Sequence, residues 1–526
     1  MIEVYQKAIK VQPNYAKAYN NLGNVFKEIG EQKKAKNFYE KAINIQPNYA
    51  NTHYNLGLIL RELGENKKAI TSYQKAIEIN PDHTSSYNNL GNLFKELGEY
   101  KRAINCYQKS IQIKPDYADT HYNFGLVFQA FGEFQKAVAS YQKAIDINPD
   151  HTSAYNNLGI VLRELGEDQK AINSYQKALH LDPSSINSQA NISTIYISQL
   201  DNLEKAINAS CKTLKIHFKT NKFINQKISL YRLKHDVQQA EYLSLKGYKI
   251  NGIEKFKKIG NKILNREENG EDNNNFNQKI LLNPNEINSL LPFYNANHIY
   301  YTSKISVGCI NPNKNWQKVE EQYFNSSKQI MYIDNFLSDE AIKELREFCL
   351  VSKVWNKEYK DKYLGAFSDR GFISPLHLQI AIELKQKLPK LFGPHKLESY
   401  WAFKYDSTLG KGINIHADFA LINLNFWITP DEYNNNKNSG GLKVYDVPAP
   451  EDWTFQRYNK DKHVIDKFLN DTKANCTNIP YKFNRAVLFN SAYFHETDEI
   501  NFKDGYEARR INTTYLFGHR LVKKMK

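Results

Sequence analysis

Apolar, small and polar positions recur with a period of 34 along the first 216 residues. Glycines fall at Gly23, Gly57, Gly91, Gly125 and Gly159, and prolines at Pro13, Pro47, Pro81, Pro115, Pro149 and Pro183. Small residues recur at Ala35, Ala69, Ala103, Ala137 and Ala171, where two helices must approach closely. A second small position runs through Ala42, Ala76, Ser110, Ala144 and Ala178. A proline after each second helix stops it, because it lacks the N–H that would continue the ladder. The pattern predicts an all-α solenoid of helix pairs. Five full repeats run from Ala16 to about Ser185, and a sixth, degraded from Ile186, has Ile192 in the leucine place. Residues 1–15 read as a lone second helix, as in a chain truncated upstream.

These positions resemble the tetratricopeptide repeat (TPR), a stack of antiparallel helix pairs. One position repeats without interruption: Asn21, Asn55, Asn89, Asn123 and Asn157 each precede the Leu or Phe of a first helix. At this spacing they form a ladder along one surface, with carboxamides able to pair with a peptide backbone. Similar ladders hold extended polypeptide in the TPR superhelix of O-linked N-acetylglucosamine transferase. The alternative is that each asparagine caps or bridges neighbouring helices. Any ligand of such a ladder is a protein segment.

Between His217 and about Lys328 the periodicity fails. Leu230 to Leu245 reads as one more amphipathic helix closing the solenoid, and Asn265 to Gln278 is polar, of low complexity and linker-like. Residues 217–324 are therefore expected to be a helical and low-complexity connecting region, with no assigned function.

The pattern then changes period. Gly412 to Phe426 (GINIHADFALINLNF) is strand-like, so that His416 and Asp418, two apart, face one side. Asn484 to Asn490 gives a second apolar run, followed by His495. Two imidazoles and one carboxylate make the facial triad that binds non-haem Fe(II) and leaves positions open. Arg509 to Phe517 is a third strand, opening on a guanidinium suited to a carboxylate.

His416-x-Asp418, the distal His495 and Arg510-Ile-Asn512 resemble the Fe(II)/2-oxoglutarate dioxygenases, in their prolyl-hydroxylase-like branch. Met331 to Cys349 resembles that family's opening strand and helix, and Ser439 to Tyr445 its hairpin after the metal strand. Asn512 stands where the family usually has Ser. An insertion of roughly thirty residues follows Tyr445, and is expected to touch only loop length. The resemblance covers roughly residues 325–520 and implies that 325–526 is a mainly β, double-stranded β-helix (jelly-roll) domain with flanking helices.

In that family's terms His416, Asp418 and His495 are the catalytic Fe(II) ligands. Arg510, rather than Arg509, meets the distal carboxylate of 2-oxoglutarate, since alternation turns Arg509 to the opposite face. Tyr405 matches a tyrosine used on 2-oxoglutarate, and Asn423, Asn425 and Asn512 line the same pocket; a tyrosine or asparagine satisfied inside a barrel is the competing account. The implied reaction consumes 2-oxoglutarate and O2 and hydroxylates a C–H bond. Asp418 disfavours halogenation. A protein or peptide side chain recruited by the solenoid is the expected substrate. The alternatives are a small-molecule or saccharide oxygenase, or an inactive interaction scaffold.

Composition adds exclusions. The net charge of +15 comes from lysines dispersed among asparagines rather than from a basic stripe, so no nucleic-acid partner is expected. No apolar run approaches a membrane span and the start of the chain lacks a signal-peptide core. Five scattered cysteines, Cys106, Cys211, Cys309, Cys349 and Cys476, argue against a disulfide framework and fit a reducing, cytoplasmic setting. Residues 300–526 carry no Gly-rich phosphate loop, which sets a glycosyltransferase or sulfotransferase module aside.

Overall fold

The computed structural model describes residues 1–220, 227–268, 279–296, 308–359, 362–406 and 412–519. The chain divides into two compact units, Met1–Asp182 and Pro183–Lys526.

The first unit is helical throughout. A single helix, Ile2–Val11, precedes five antiparallel pairs that begin with Ala16–Glu28 and Gln32–Ile45 and end with Thr152–Glu164 and Asp168–Leu181. Within each pair the glycine of the first helix meets a fully buried tyrosine of the second. A Cβ on Gly23 would lie 2.6 Å from the Tyr39 ring, and the same contact recurs at Gly57 with Tyr73 and Gly159 with Tyr175. Ala35 and Ala42 are fully buried, as close approach requires. The turn inside each pair is closed by a different glycine: Gly30 takes φ +80°, which lets Glu31 N–H reach back to Phe26 C=O at 2.8 Å.

The second unit opens with a helix pair, Ile186–Gln199 and Leu203–Thr220. The solenoid expected over 1–216 thus reaches into this unit. Ile197 and Ala206 join the core beneath the main β-sheet, and Ser210 Oγ donates to Ser368 C=O (2.5 Å) while accepting from Gly371 N–H (2.8 Å). The Leu230–Leu245 helix forms as expected, but its partners differ from those expected. It packs with the Ile253–Glu268 and Pro284–Asn295 helices and reaches the β region: Gln239 donates to Leu350 C=O and Ser352 C=O. Its buried Arg232 pairs with Asp236 at 2.6 Å and donates to Trp355 C=O. A helix with Arg, His, Asp and Gln buried on one face requires polar partners that a TPR neighbour would not supply. The linker-like stretch falls outside the described residues from 269 onward.

The strands are β1 (Lys227–Ser229), β2 (Lys279–Leu281), β3 (Ile330–Ile333), β4 (Lys357–Tyr359), β5 (Tyr363–Phe367) and β6 (Leu397–Tyr405). They continue with β7 (Ala420–Trp427), β8 (Leu442–Pro448), β9 (Cys476–Ile479), β10 (Ala486–Asn490), β11 (Tyr493–Thr497) and β12 (Ile511–His519). Seven form an antiparallel sheet in the order β3-β10-β7-β12-β6-β5-β4, three form a second sheet, β11-β8-β9, and β1 pairs with β2. Alternation gives the large sheet two faces. Ala402, Leu424, Phe426, Leu488, Ile511, Tyr515 and Phe517 pack on the Asp339–Val351 and Pro375–Lys387 helices, whose Leu345, Phe348, Ile380 and Leu384 are fully buried. On the other face Phe403, Tyr405, Trp427, Val487 and Phe489 share a core with Leu442 and Val444 of β8 and Ile479 of β9. Residues alternating with the helix-packed set thus lie between the two sheets.

Candidate metal centre

His416, Asp418 and His495 come together, each offering one ligand atom within 4.8 Å of the others. The regular strand begins only at Ala420, so the His-x-Asp segment is not the extended strand its sequence suggests. His416 instead forms an isolated antiparallel bridge with His495, through N–H to C=O bonds of 3.0 and 2.8 Å. Asp418 N–H is held separately by Ser491 C=O at 3.0 Å. The two histidines are therefore direct cross-strand neighbours, with ring centroids 4.3 Å apart.

Each imidazole is oriented in the same way. His416 Nδ1 lies 2.8 Å from Asn414 C=O and His495 Nδ1 lies 3.0 Å from Tyr493 C=O, which fixes the proton on Nδ1 and frees Nε2. The Nε2 atoms lie 3.9 and 3.5 Å from the Asp418 carboxylate oxygens. Burial, reinforced by the neighbouring His495, lowers the His416 pKa to about 4 and keeps the ring neutral at physiological pH. Burial opposes ionisation of Asp418, yet its contacts with His495, His416 and the Asn423 amide together hold it below the usual carboxylate range. Asn423 Nδ2 donates to Asp418 Oδ2 at 2.8 Å.

The centre opens into a cavity of about 460 Å³. Arg510, Asn423, Asn425 and Asn512 line it. Arg510 is 1% exposed. It donates to Gly440 C=O (2.7 Å), Gly441 C=O and Asn512 Oδ1 (3.4 Å each), and stacks 4.9 Å above the Tyr405 ring. No carboxylate pairs with it among the described residues, and burial without such a partner lowers its pKa. Arg509 turns the other way, pairing with Asp406 at 3.1 Å and donating to Gln238 Oε1. The buried Asn423 Oδ1 has no hydrogen-bond partner among the described residues, and the buried Tyr405 hydroxyl lies toward Arg510 and Thr497. Two imidazoles, a carboxylate, and an arginine without a carboxylate partner among the described residues fit a divalent metal with an anionic chelator.

Several lining residues were not foreseen. Thr514 lies two residues beyond Asn512 on β12 and bonds Asn425 Nδ2 at 3.0 Å, so alternation alone was a usable signal. Thr497, Tyr363, Tyr359, Phe367, Trp401 and Phe403 arrive through strand pairing and carry no local mark. The insertion after Tyr445 does more than lengthen a loop. Its Phe455–Lys460 and Lys462–Asp471 helices bury Tyr458, Ile465 and Leu469 against Ile415, Ala417 and Phe494. Tyr458 C=O accepts from Ala417 N–H and Asn459 Nδ2 donates to Ala417 C=O, both at 3.1 Å. Both backbone groups of the residue between the two ligands are thereby held, and Asn459 and Lys460 reach the cavity.

In the first unit the asparagine ladder is half-buried, and Asn55, Asn89, Asn123 and Asn157 bond to the repeat before. Asn55 Nδ2 donates to Asn20 Oδ1 and Asn24 Oδ1 (3.2 Å each), Asn89 to Tyr54 Oη (3.2 Å) and Asn157 to Tyr122 Oη (2.9 Å). Asn21 Oδ1 accepts from Asn20 and Asn123 Oδ1 from Lys95 Nζ. The bridging role is thus visible in the geometry.

Among the described residues no helix is long and apolar enough to cross a membrane. The TPR repeat family matches residues 2–30, 23–61, 57–98 and 91–132, and a second tetratricopeptide repeat family matches 116–184. Among curated proteins none matches the chain. Solved structures resembling it include YrrB, a TPR protein with an unusual peptide-binding site, 22% identical over 36% of this chain and 97% of its own, with a TM-score of 0.32. MamA is 28% identical over 32% of this chain and 92% of its own (TM-score 0.30), and a segment of MamA from Desulfovibrio magneticus RS-1 is 22% identical over 32% and 96% (TM-score 0.30). The N-terminal helix pairs are tetratricopeptide repeats, an architecture that suggests a role in protein interaction.

Proposed function

We propose that the chain is an Fe(II)- and 2-oxoglutarate-dependent dioxygenase that hydroxylates a protein or peptide side chain brought to it by its TPR repeats. The observation that supports this most is one cavity holding both the His416, Asp418, His495 donor set and a buried arginine with no carboxylate partner among the described residues. His416 Nε2, His495 Nε2 and the Asp418 carboxylate would hold iron, and Arg510, with the Tyr405 hydroxyl, the distal carboxylate of 2-oxoglutarate. Iron and 2-oxoglutarate together supply the activation of O2 needed to oxidise a C–H bond. The backbone carbonyls of Asn414 and Tyr493 keep each imidazole protonated on Nδ1 and available on Nε2. Asn423 orients the carboxylate and shares its negative charge. The Tyr405 ring faces the guanidinium, and the surrounding core of Tyr363, Phe403 and Trp427 keeps bulk water from the pair.

The test is an anaerobic absorption spectrum of the full chain with Fe(II), before and after 2-oxoglutarate is added. A visible charge-transfer band is expected with the native chain and none with His416→Ala or Asp418→Ala, both of which keep the fold by circular dichroism. A folded native chain without the band, or an Asp418→Ala chain that retains it, removes the metal assignment.

A further inference from the structure

The cavity is charged asymmetrically. Among the described residues that line it Asp418 is the only carboxylate, whereas Lys357, Lys460 and Arg510 contribute cations. In the reading above, on which this inference rests, Asp418 and Arg510 are committed to metal and cosubstrate. Two ammonium groups remain, one on β4 and one on the inserted Phe455–Lys460 helix. Lys357 Nζ lies 4.9 Å above the Tyr359 ring and 5.2 Å from that of Phe367. Its charged neighbours are Arg370, Asp369 and Lys460. Asp369 is taken up by Arg370, at 3.4 Å.

An aromatic wall joins the deep cation to the outer one. Arg510 faces Tyr405, Tyr405 stacks on Tyr363 (5.3 Å), Tyr363 on Tyr359 (4.4 Å), and Lys357 lies over Tyr359. Phe403 braces Tyr359 and Tyr363 edge-on at 5.6 and 5.3 Å. The outer end is held from the segment without periodicity, for Tyr231 Oη accepts from Tyr359 N–H (3.1 Å) and donates to Tyr359 C=O (2.8 Å). Stacked rings offer an apolar, uncharged surface for a substrate body, and a lysine already ordered over two of them loses less freedom on meeting an anion. The TPR repeats in the same chain favour a polypeptide as the source of that anion over an acidic sugar.

We infer that the oxidised segment is an acidic peptide, its target residue lying along Tyr363 and Tyr359 while a flanking Asp or Glu carboxylate pairs with Lys357 and Lys460. The probes are three dodecapeptide pools, randomised except for two fixed positions held as Glu, Gln or Lys, with tetragalacturonate as an acidic saccharide control. Two readouts are taken on the full chain: retention of each probe by the immobilised protein without metal, and succinate release with Fe(II) and 2-oxoglutarate. The Glu pool should exceed the Gln pool by about fivefold in both, the scale of one partly exposed ion pair. The Lys357→Glu/Lys460→Glu variant, altered only at exposed side chains, should favour the Lys pool instead, and the single Gln variants should each lose part of the preference. Equal response to the pools, response to none, or a preference for tetragalacturonate overturns the acidic-peptide assignment. The Fe(II)/2-oxoglutarate band is scored separately, so that its absence counts against the dioxygenase reading and its presence with indifferent pools counts against this inference alone.

Discussion

The two units fix their side chains by contrasting means. In Met1–Asp182 the packing contacts recur: each glycine inside a first helix meets a tyrosine one helix later, and the Asn55, Asn89 and Asn157 amides reach back one repeat. In Pro183–Lys526 the partners are distant and occur once. Ser210 meets Ser368, Tyr231 meets Tyr359, and Arg509 meets Gln238, 271 residues away. A repeat array loses stability piecewise, since each repeat leans on its neighbours, whereas a site assembled from remote strands has no substitute for a missing partner.

The largest expected effect breaks the array without touching the site. Gly57→Val places a branched side chain where even a Cβ would be 2.6 Å from the Tyr73 ring, between helices that cannot separate without exposing their core. A cost on the order of 3 kcal/mol is expected, confined to the first unit. Hydrogen exchange should show lost protection across Ala50–Ile79 and its neighbours, with the Fe(II)/2-oxoglutarate band unchanged. Loss of that band in a chain whose β unit stays protected would show that the site depends on the array.

The converse experiment disturbs the site and spares the array. Asn423 is fully buried and its amide meets Asp418 Oδ2, so Asn423→Ala leaves the metal carboxylate less well oriented. Metal affinity should fall by about 10- to 100-fold, as for other partners that orient a ligand, while the helical signal and its thermal transition stay in place. Unchanged metal affinity would show that the backbone bond from Asp418 to Ser491 orients the carboxylate unaided.

The same contrast explains what could be read from the sequence. The helix pairs were legible because a period repeats the evidence: Gly23, Gly57 and Gly91 report one packing requirement several times over. His416, Asp418, His495 and Arg510 were legible because reactive residue types stood close together near apolar runs. Tyr359, Tyr363 and Phe403 were not, since they look like ordinary strand aromatics until the register sets Tyr363 against Tyr405 and Gly365 against Phe403. The sequence predicts the Leu203–Thr220 and Leu230–Leu245 helices, but not what covers them. Amphipathicity reveals that a face is buried, and partner identity lies in residues as remote as Ser368 and Leu350. Ala417 shows the same limit, for nothing in HAD announces that Tyr458 and Asn459 will hold its backbone.

The smallest effect tests whether the repeats differ chemically at the caps of their first helices, Tyr15, Tyr49 and Tyr117 in three of them and His83 and His151 in two. His83 caps the Thr84–Glu96 helix by accepting Ser86 N–H on Nδ1 at 3.2 Å, and His151 does the same for Ala154 N–H at 3.2 Å. An imidazole accepts on Nδ1 only while that nitrogen is unprotonated, and burial lowers the His83 pKa below its ordinary value. The folded state therefore binds fewer protons than the unfolded one between the folded pKa and about 6.5, so stability must rise with pH through that window and fall on acidification. A cap is worth about 1 kcal/mol, the scale of the loss expected at His83. His83→Asn keeps an acceptor that does not titrate in this range, and should flatten the decline in the helical melting temperature between about pH 7 and 5. If the decline persists in His83→Asn, its source is elsewhere in the array and this cap is insensitive to protonation.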